Sequence, residues 1–218
     1  MAELTFECLG ARPDPYGTSP VLLFKLRITE AEAAPVHAVA LRCQMRIDPQ
    51  RRRYNEHEAE LLTHLFGERS RWGDTLKPLQ FSTVSIMVPS FVGSTEIEVP
   101  VPCTYDLEVA AGKYFHSLDD GVVPMALMFS GTIFSKGQTG FWVDQVSWNS
   151  DVNYQLPIEV WQGMMNTYFP GEAWIRLPKD TIDELLRYKA RHAIPTWDAA
   201  MTSLLAKADG PVVEEVAP

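Results

Sequence analysis

From Glu96 to Val109 apolar and polar side chains alternate without a break. Ile97, Val99, Val101, Cys103, Tyr105, Leu107 and Val109 take one phase, and Glu96, Glu98, Pro100, Pro102, Thr104, Asp106 and Glu108 the other. A period of two predicts an extended strand with one buried and one wet face. Fourteen residues at strand rise would reach about 46 Å, more than one compact sheet needs. The strand is therefore expected to bend near Pro100 and Pro102, which fall on the polar phase, where an edge tolerates a missing donor. Beyond the bend Cys103 and Tyr105 are expected to keep facing inward.

The same period recurs earlier. Leu4 to Leu9 reads as a first strand, followed by a Pro/Gly/Asp/Ser-rich loop over Arg12 to Pro20. Leu22, Phe24, Leu26 and Ile28 alternate with Lys25 and Arg27. Val39, Leu41, Cys43, Met45 and Ile47 oppose Arg42, Gln44 and Arg46. The short connection from Glu30 to Pro35 suits an antiparallel hairpin between these two. Around Leu61, Leu62, Leu65 and Phe66 the spacing becomes helical, with Asn55 and Glu58 placed as a capping box and Gly67 as the stop. Further strands are predicted over Phe81 to Val88, Val123 to Phe134 and Phe141 to Trp148. The last two are joined by a tight turn, while Ala110 to Gly121 reads as irregular with a single helical turn.

After Asn153 the pattern turns helical. Ile158, Trp161, Met165 and Tyr168 share a face that ends at Pro170-Gly171. Ile182, Leu185 and Leu186 follow a Thr181/Glu184 capping pattern, and Thr196 precedes a last helix with Trp197, Met201, Leu204 and Leu205. The fold class is therefore α+β, mainly β: an antiparallel, immunoglobulin-like β-sandwich with a helical insertion and packed C-terminal helices. Residues 1–155 form the sandwich, with the insertion at about 55–66. Residues 156–207 form a helical segment packed on it, and 208–218 a disordered acidic tail.

Composition narrows the function classes. The 218 residues are 46% hydrophobic with a formal charge of −9, so a general nucleic-acid binder is not expected. Arg51, Arg52 and Arg53 form the one dense basic run, read as a solvated approach to the helix, with a docking patch for an acidic partner as the sharper alternative. Cys8, Cys43 and Cys103 are scattered and odd in number, as in a reducing cytoplasm. The first ten residues lack a charged region followed by an apolar one, and no apolar stretch is long enough to span a bilayer, so neither a secretory leader nor membrane attachment is expected.

Candidate chemistry is sparse. His57, Glu60 and His64 share a helix stripe that could touch a metal, but the two imidazoles stand about 10 Å apart along the axis, and an exposed polar face is the preferred reading. Asp119-Asp120-Gly121 reads as a turn. Asp106 and Glu108 face one way and could do acid–base work inside a cleft, but Glu96 and Glu98 share that face, as charges guarding an exposed strand would. His116 has no partner in sequence. Nucleotide-binding, serine-hydrolase and zinc-protease signatures are absent, and no cofactor or metal is expected. Aromatic weight late in the chain is more informative. Trp142, Trp148, Trp161 and Trp174 either complete the core under the C-terminal helices or line a groove for a protein partner.

The segments LRCQMRIDPQRRRY (41–54), LFGERSRWGDTL (65–76), VPCTYDLEVAAGKYFHSLDDG (101–121), FSGTIF (129–134) and YKARHAIPTWD (188–198) resemble a bacterial family of unknown biochemical function often encoded beside nickel–iron hydrogenase structural and maturation genes. The resemblance runs from about Leu4 to Lys207. It implies an accessory role around hydrogenase assembly, with a hydrogenase subunit or maturation factor as partner, and assigns no catalytic residue. The expectation is a non-enzymatic, chaperone-like cytoplasmic protein. The alternative is an enzyme or small-ligand binder with a site between the sandwich and the C-terminal helices, around Asp106, Glu108 or His116.

Overall fold

A computed structural model describes residues 3–103, 109–137, 140–171 and 177–208. In chain order the elements are β1 (Leu4–Pro13), β2 (Val21–Glu30), β3 (Pro35–Ile47), α1 (Glu56–Phe66), α2 (Trp72–Thr75), β4 (Leu79–Val88), β5 (Phe91–Val92) and β6 (Ser94–Pro102). They continue as α3 (Val109–His116), β7 (Val122–Gly137), β8 (Gly140–Gln145), β9 (Asp151–Pro157), α4 (Ile158–Tyr168), α5 (Lys179–Arg191) and α6 (Trp197–Ala208). The chain divides into two compact units, Met1–Gly171 and Glu172–Pro218.

The first unit is a sandwich of two antiparallel sheets. One is ordered β1-β2-β6; the other runs β4-β3-β7-β8, with β5 on β3 and β9 on β7. The alternating apolar phases meet between them. Leu22, Phe24, Leu26 and Ile28 of β2 are buried, as are Val39, Leu41, Cys43, Met45 and Ile47 of β3 and Val123, Met125, Leu127 and Phe129 of β7. Phe6 stacks on Phe129 at 4.3 Å across the sheets, and Phe24 meets Tyr154 edge-on at 6.0 Å. Strand β7 is the spine of the second sheet. One side pairs with β3, while the other carries β9 along Val122–Met128 and β8 along Thr132–Gly137.

Helices close one end. Aromatic rings run from Trp72 through Phe66, Tyr114 and Phe115 to Trp161, with successive centroids 6.3, 6.2, 6.2 and 4.9 Å apart. The capping box at α1 forms as predicted: the Asn55 side chain accepts from the Glu58 N–H, and the Glu58 carboxylate accepts from the Asn55 N–H.

Several expectations are corrected. The long alternating tract is not one strand. Pairing with β2 stops at Val21–Pro102, the Cys103 N–H bonds the Pro20 carbonyl, and Val109 already belongs to a helix. The ladder runs through Pro100 and ends at Pro102, and Ala111, Tyr114, Phe115 and Leu118, all buried, follow helical spacing instead. Thr104 to Glu108, including Asp106 and Glu108, lie outside the described residues, as does the tail from residue 209. β6 is nonetheless an edge strand with both prolines on its exposed phase.

The connection from Glu30 to Pro35 is no hairpin, because β2 and β3 belong to different sheets. The buried Glu30 carboxylate accepts the backbone N–H groups of Glu32 (3.1 Å) and Ala34 (2.6 Å), and Ala33 adopts φ +56°, building a corner between the layers. The predicted Phe141–Trp148 strand ends at Gln145, and β9, unforeseen, buries Leu156 and half-buries Val152 and Tyr154.

The second unit contains α5 and α6. The Tyr188 hydroxyl bonds Ser203 (3.0 Å), the Lys207 ammonium bonds Tyr188 (3.1 Å), and the Lys189 ammonium lies over Trp197. The predicted Thr181 cap does not form; α5 starts at Lys179 after Pro178, whereas the Thr196 hydroxyl does accept the Ala199 N–H.

Candidate functional site

Because β3 buries its odd positions, Arg42, Gln44 and Arg46 stand on the outer face of the second sheet. Register places Ser85, Thr83 and Gln80 of β4 on one side of them, and Ser130, Met128 and Ala126 of β7 on the other. Gln44 donates to Gln80 at 2.9 Å. Toward the opposite end the face turns apolar, through Ala38, Ala40 and exposed Met87 to Phe134 and Val143 of β8. Trp142 and Val143 are 61% and 60% exposed, and β8 has no partner strand on its far side among the described residues.

The outer face of the first sheet is different. Its cations are neutralised across strands: Arg12 with Glu98 (2.8 Å), Lys25 with Glu96 (2.7 Å), and Arg27 with Glu7 (3.0 Å) and Glu96 (2.9 Å). Hydrogen bonds from Lys25 and Arg27 hold the Glu96 carboxyl below the ordinary carboxylate range. Glu96 and Glu98 thus belong to a charge ladder. On the second sheet, among the described residues, neither Arg42 nor Arg46 enters an ion pair, and the buried Arg46 Nε has no hydrogen-bond partner.

Past the end of β3 the face runs into a cleft of about 550 Å³ between the arginine run, Asn55, the Asp120–Val122 turn and Gln155. The three arginines differ completely. Arg52 is a buried tie: its side chain is 8% exposed against 2% for Glu58, which it meets in an ion pair, and it also donates to the carbonyls of Asp120 (2.6 Å) and Val122 (2.7 Å). Glu58 completes its shell with the Asp119 N–H (3.0 Å). Gly121 must be glycine here, with φ +80° and the Arg52 guanidinium 3.2 Å from where a Cβ would sit. Arg51 donates to Asn153 and lies 3.7 Å from Asp48. Arg53 is exposed and unpaired among the described residues. Beneath, the buried Tyr114 hydroxyl meets the Tyr54 hydroxyl (2.8 Å), which donates to the Pro49 carbonyl (2.7 Å). Burial pushes Tyr54 up to about 12.

The predicted aromatic residues do not converge. Trp148, at 95% exposed, caps the turn after β8, whereas Trp161 is 3% exposed and stacks on Phe115. Trp161 therefore offers no partner surface: α4 turns that face into the sandwich. Trp174 lies outside the described residues. His116 packs edge-on against Trp161 at 4.8 Å, and burial lowers its pKa. His57 approaches Asp119 (3.9 Å), and Asp119 accepts from Asn55 (3.0 Å), so the aspartate pair belongs to the turn docked on α1. No group of three or more His, Cys, Asp or Glu residues placed to hold a metal occurs among the described residues.

Residues 1–212 match the sequence profile of DUF6084, a family of unknown function. The chain belongs to that family. No curated protein matches the sequence. For this DUF6084 chain the open face of the second sheet is the surface the sequence reading missed, although its signal was present in the polar phase of β3. What sequence could not supply was the absence of balancing acid beside Arg42 and Arg46. Among the described residues no helix is long and apolar enough to cross a membrane.

Proposed function

We propose that this protein acts by binding another protein, as a non-enzymatic accessory factor, and that β8 with the adjoining open face receives an extended segment of the partner. The single observation behind this reading is the exposure of Trp142 and Val143 on a terminal strand that lacks an outer partner among the described residues. A free edge offers main-chain donors and acceptors to an added strand, and large exposed apolar side chains supply its anchoring pockets. The resemblance to a family encoded beside nickel–iron hydrogenase genes supplies the context: the partner is an immature hydrogenase subunit or a maturation factor, held during assembly in the cytoplasm.

The test is co-purification of the tagged chain from cells expressing the neighbouring hydrogenase, alongside a Trp142→Asp/Val143→Asp variant. Both side chains are exposed, so the variant is expected to fold. Recovery of a hydrogenase subunit or maturation factor with the native chain, lost with the variant, supports the reading. Recovery of neither defeats the hydrogenase context, and recovery undiminished by the variant defeats the β8 surface.

A further inference from the structure

Arg42 and Arg46 stand on the same face of β3, about 13 Å apart at strand rise, with Gln44 between them. Arg51 adds a third cation to one side of this pair. It is anchored to Asn153 on β9, whose register partner Ala126 is in turn the partner of Arg46, so Arg51 lies about 10 Å across the sheet from Arg46. Arg53 stands beyond it at the cleft. The register positions that flank Arg42, Gln44 and Arg46 are neutral: Ser85, Thr83 and Gln80 on β4, and Ser130, Met128 and Ala126 on β7.

We propose that this arginine track binds an acidic, extended polypeptide segment of the partner. This deepens, and rests on, the reading that the protein works by protein binding. Two observations choose the occupant. Arg42 and Arg46 are spaced along one strand and Arg51 lies to one side of them, so the guanidiniums do not converge on one point; the strand-wise pair suits a chain with carboxylates at alternating positions, because an extended segment shares the sheet's own repeat. They are also unbalanced. In a chain of charge −9, the basic face of the first sheet is tied up by Glu7, Glu96 and Glu98, while among the described residues Arg42, Arg46 and Arg53 have no acidic partner within ion-pair distance. Among the described residues, Asp48 approaches Arg51 at 3.7 Å, Glu58 in the cleft wall is taken up by Arg52, and Asp151 on β9 and Asp120 in the cleft wall form no ion pair with the track. Among the described residues no aromatic side chain occupies the register positions beside Arg42 and Arg46 to stack a base, which disfavours single-stranded nucleic acid.

The test uses the full-length protein and a fluorescein-labelled peptide of about twelve residues alternating Glu and Ser, long enough to span the track. Fluorescence anisotropy is expected to show saturable binding that weakens about tenfold between low and high salt. Binding is expected to fall at least about tenfold in R42E/R46E and measurably in the milder R42Q, at an exposed position, with unchanged circular dichroism. A Lys-Ser peptide should not bind. No binding of the acidic peptide, equal binding by folded R42E/R46E, or tighter binding of an oligouridine at the same arginines would each overturn the proposal. Peptide binding by a chain that co-purifies no hydrogenase component leaves the acidic specificity standing and removes the hydrogenase context. A co-purified partner with no peptide binding does the reverse.

Discussion

The Arg52 guanidinium and the Glu58 carboxylate form an ion pair almost wholly withdrawn from water, and between them they tie α1 to the turn that opens β7. Removing one partner strands a buried charge. Arg52→Met or Glu58→Leu alone is expected to destabilise the protein by about 3–5 kcal/mol in urea unfolding. The double variant should recover much of that loss. Single and double variants of equal stability would show that the pair is not coupled.

Trp161 and Trp148 were indistinguishable as partner-binding candidates in sequence, and their truncations should separate them. Trp161→Ala removes a ring stacked on Phe115 and is expected to cost about 3–5 kcal/mol. Trp148→Ala, at an exposed turn, should stay within about 0.5 kcal/mol of the parent. Thermal melts of the two side by side are sufficient.

Burial pushes the thiols of Cys43 and Cys103 up to about 12 and that of Cys8 up to about 11, with the neighbouring Cys8 adding to the rise at Cys43. At pH 8 the thiolate fraction of Cys43 or Cys103 is on the order of one in ten thousand. In the native protein neither should react with Ellman's reagent at that pH, and all three thiols should react once guanidinium unfolds the chain. Rapid native labelling of Cys43 or Cys103 would contradict the packed sandwich.

One edge of the His116 ring is exposed and the other lies against Trp161, and this partial desolvation holds it below its ordinary value of 6.5, so the fold favours its neutral form. The sign follows directly. Its contribution to stability is complete above about pH 6.5 and is lost as pH falls through the lowered native value. A His116→Gln variant should flatten the pH dependence of the urea midpoint between neutral and mildly acidic solution. An unchanged slope would assign that dependence to other groups.

Period-two alternation made β2 and β3 legible residue by residue, because each strand has one dry and one wet face and the side chains say which. The same rule extended too far past Pro102, where local alternation continued after the pairing that gives it meaning had stopped. β9 carried a readable Val152, Tyr154, Leu156 phase, masked by the stronger helical signal that begins at Ile158. The corner at Glu30 was hidden for a different reason: a carboxylate that satisfies two backbone N–H groups looks in sequence like any exposed glutamate. The arginine run shows the limit most plainly. Three identical side chains became a buried tie, a rim contact and, among the described residues, an unpaired cation, because the partners of Arg52 include carbonyls about seventy residues away.

Strand β7 has a consequence for the order of events during synthesis. β3 and β4 can pair early, but their sheet has no spine until β7 has left the ribosome, and β8 and β9 both wait on the same strand. For much of translation, then, the nascent chain presents β3 with the edge that β7 will occupy still unpaired. Until β7 closes it, that edge is open to pairing with any other extended chain nearby.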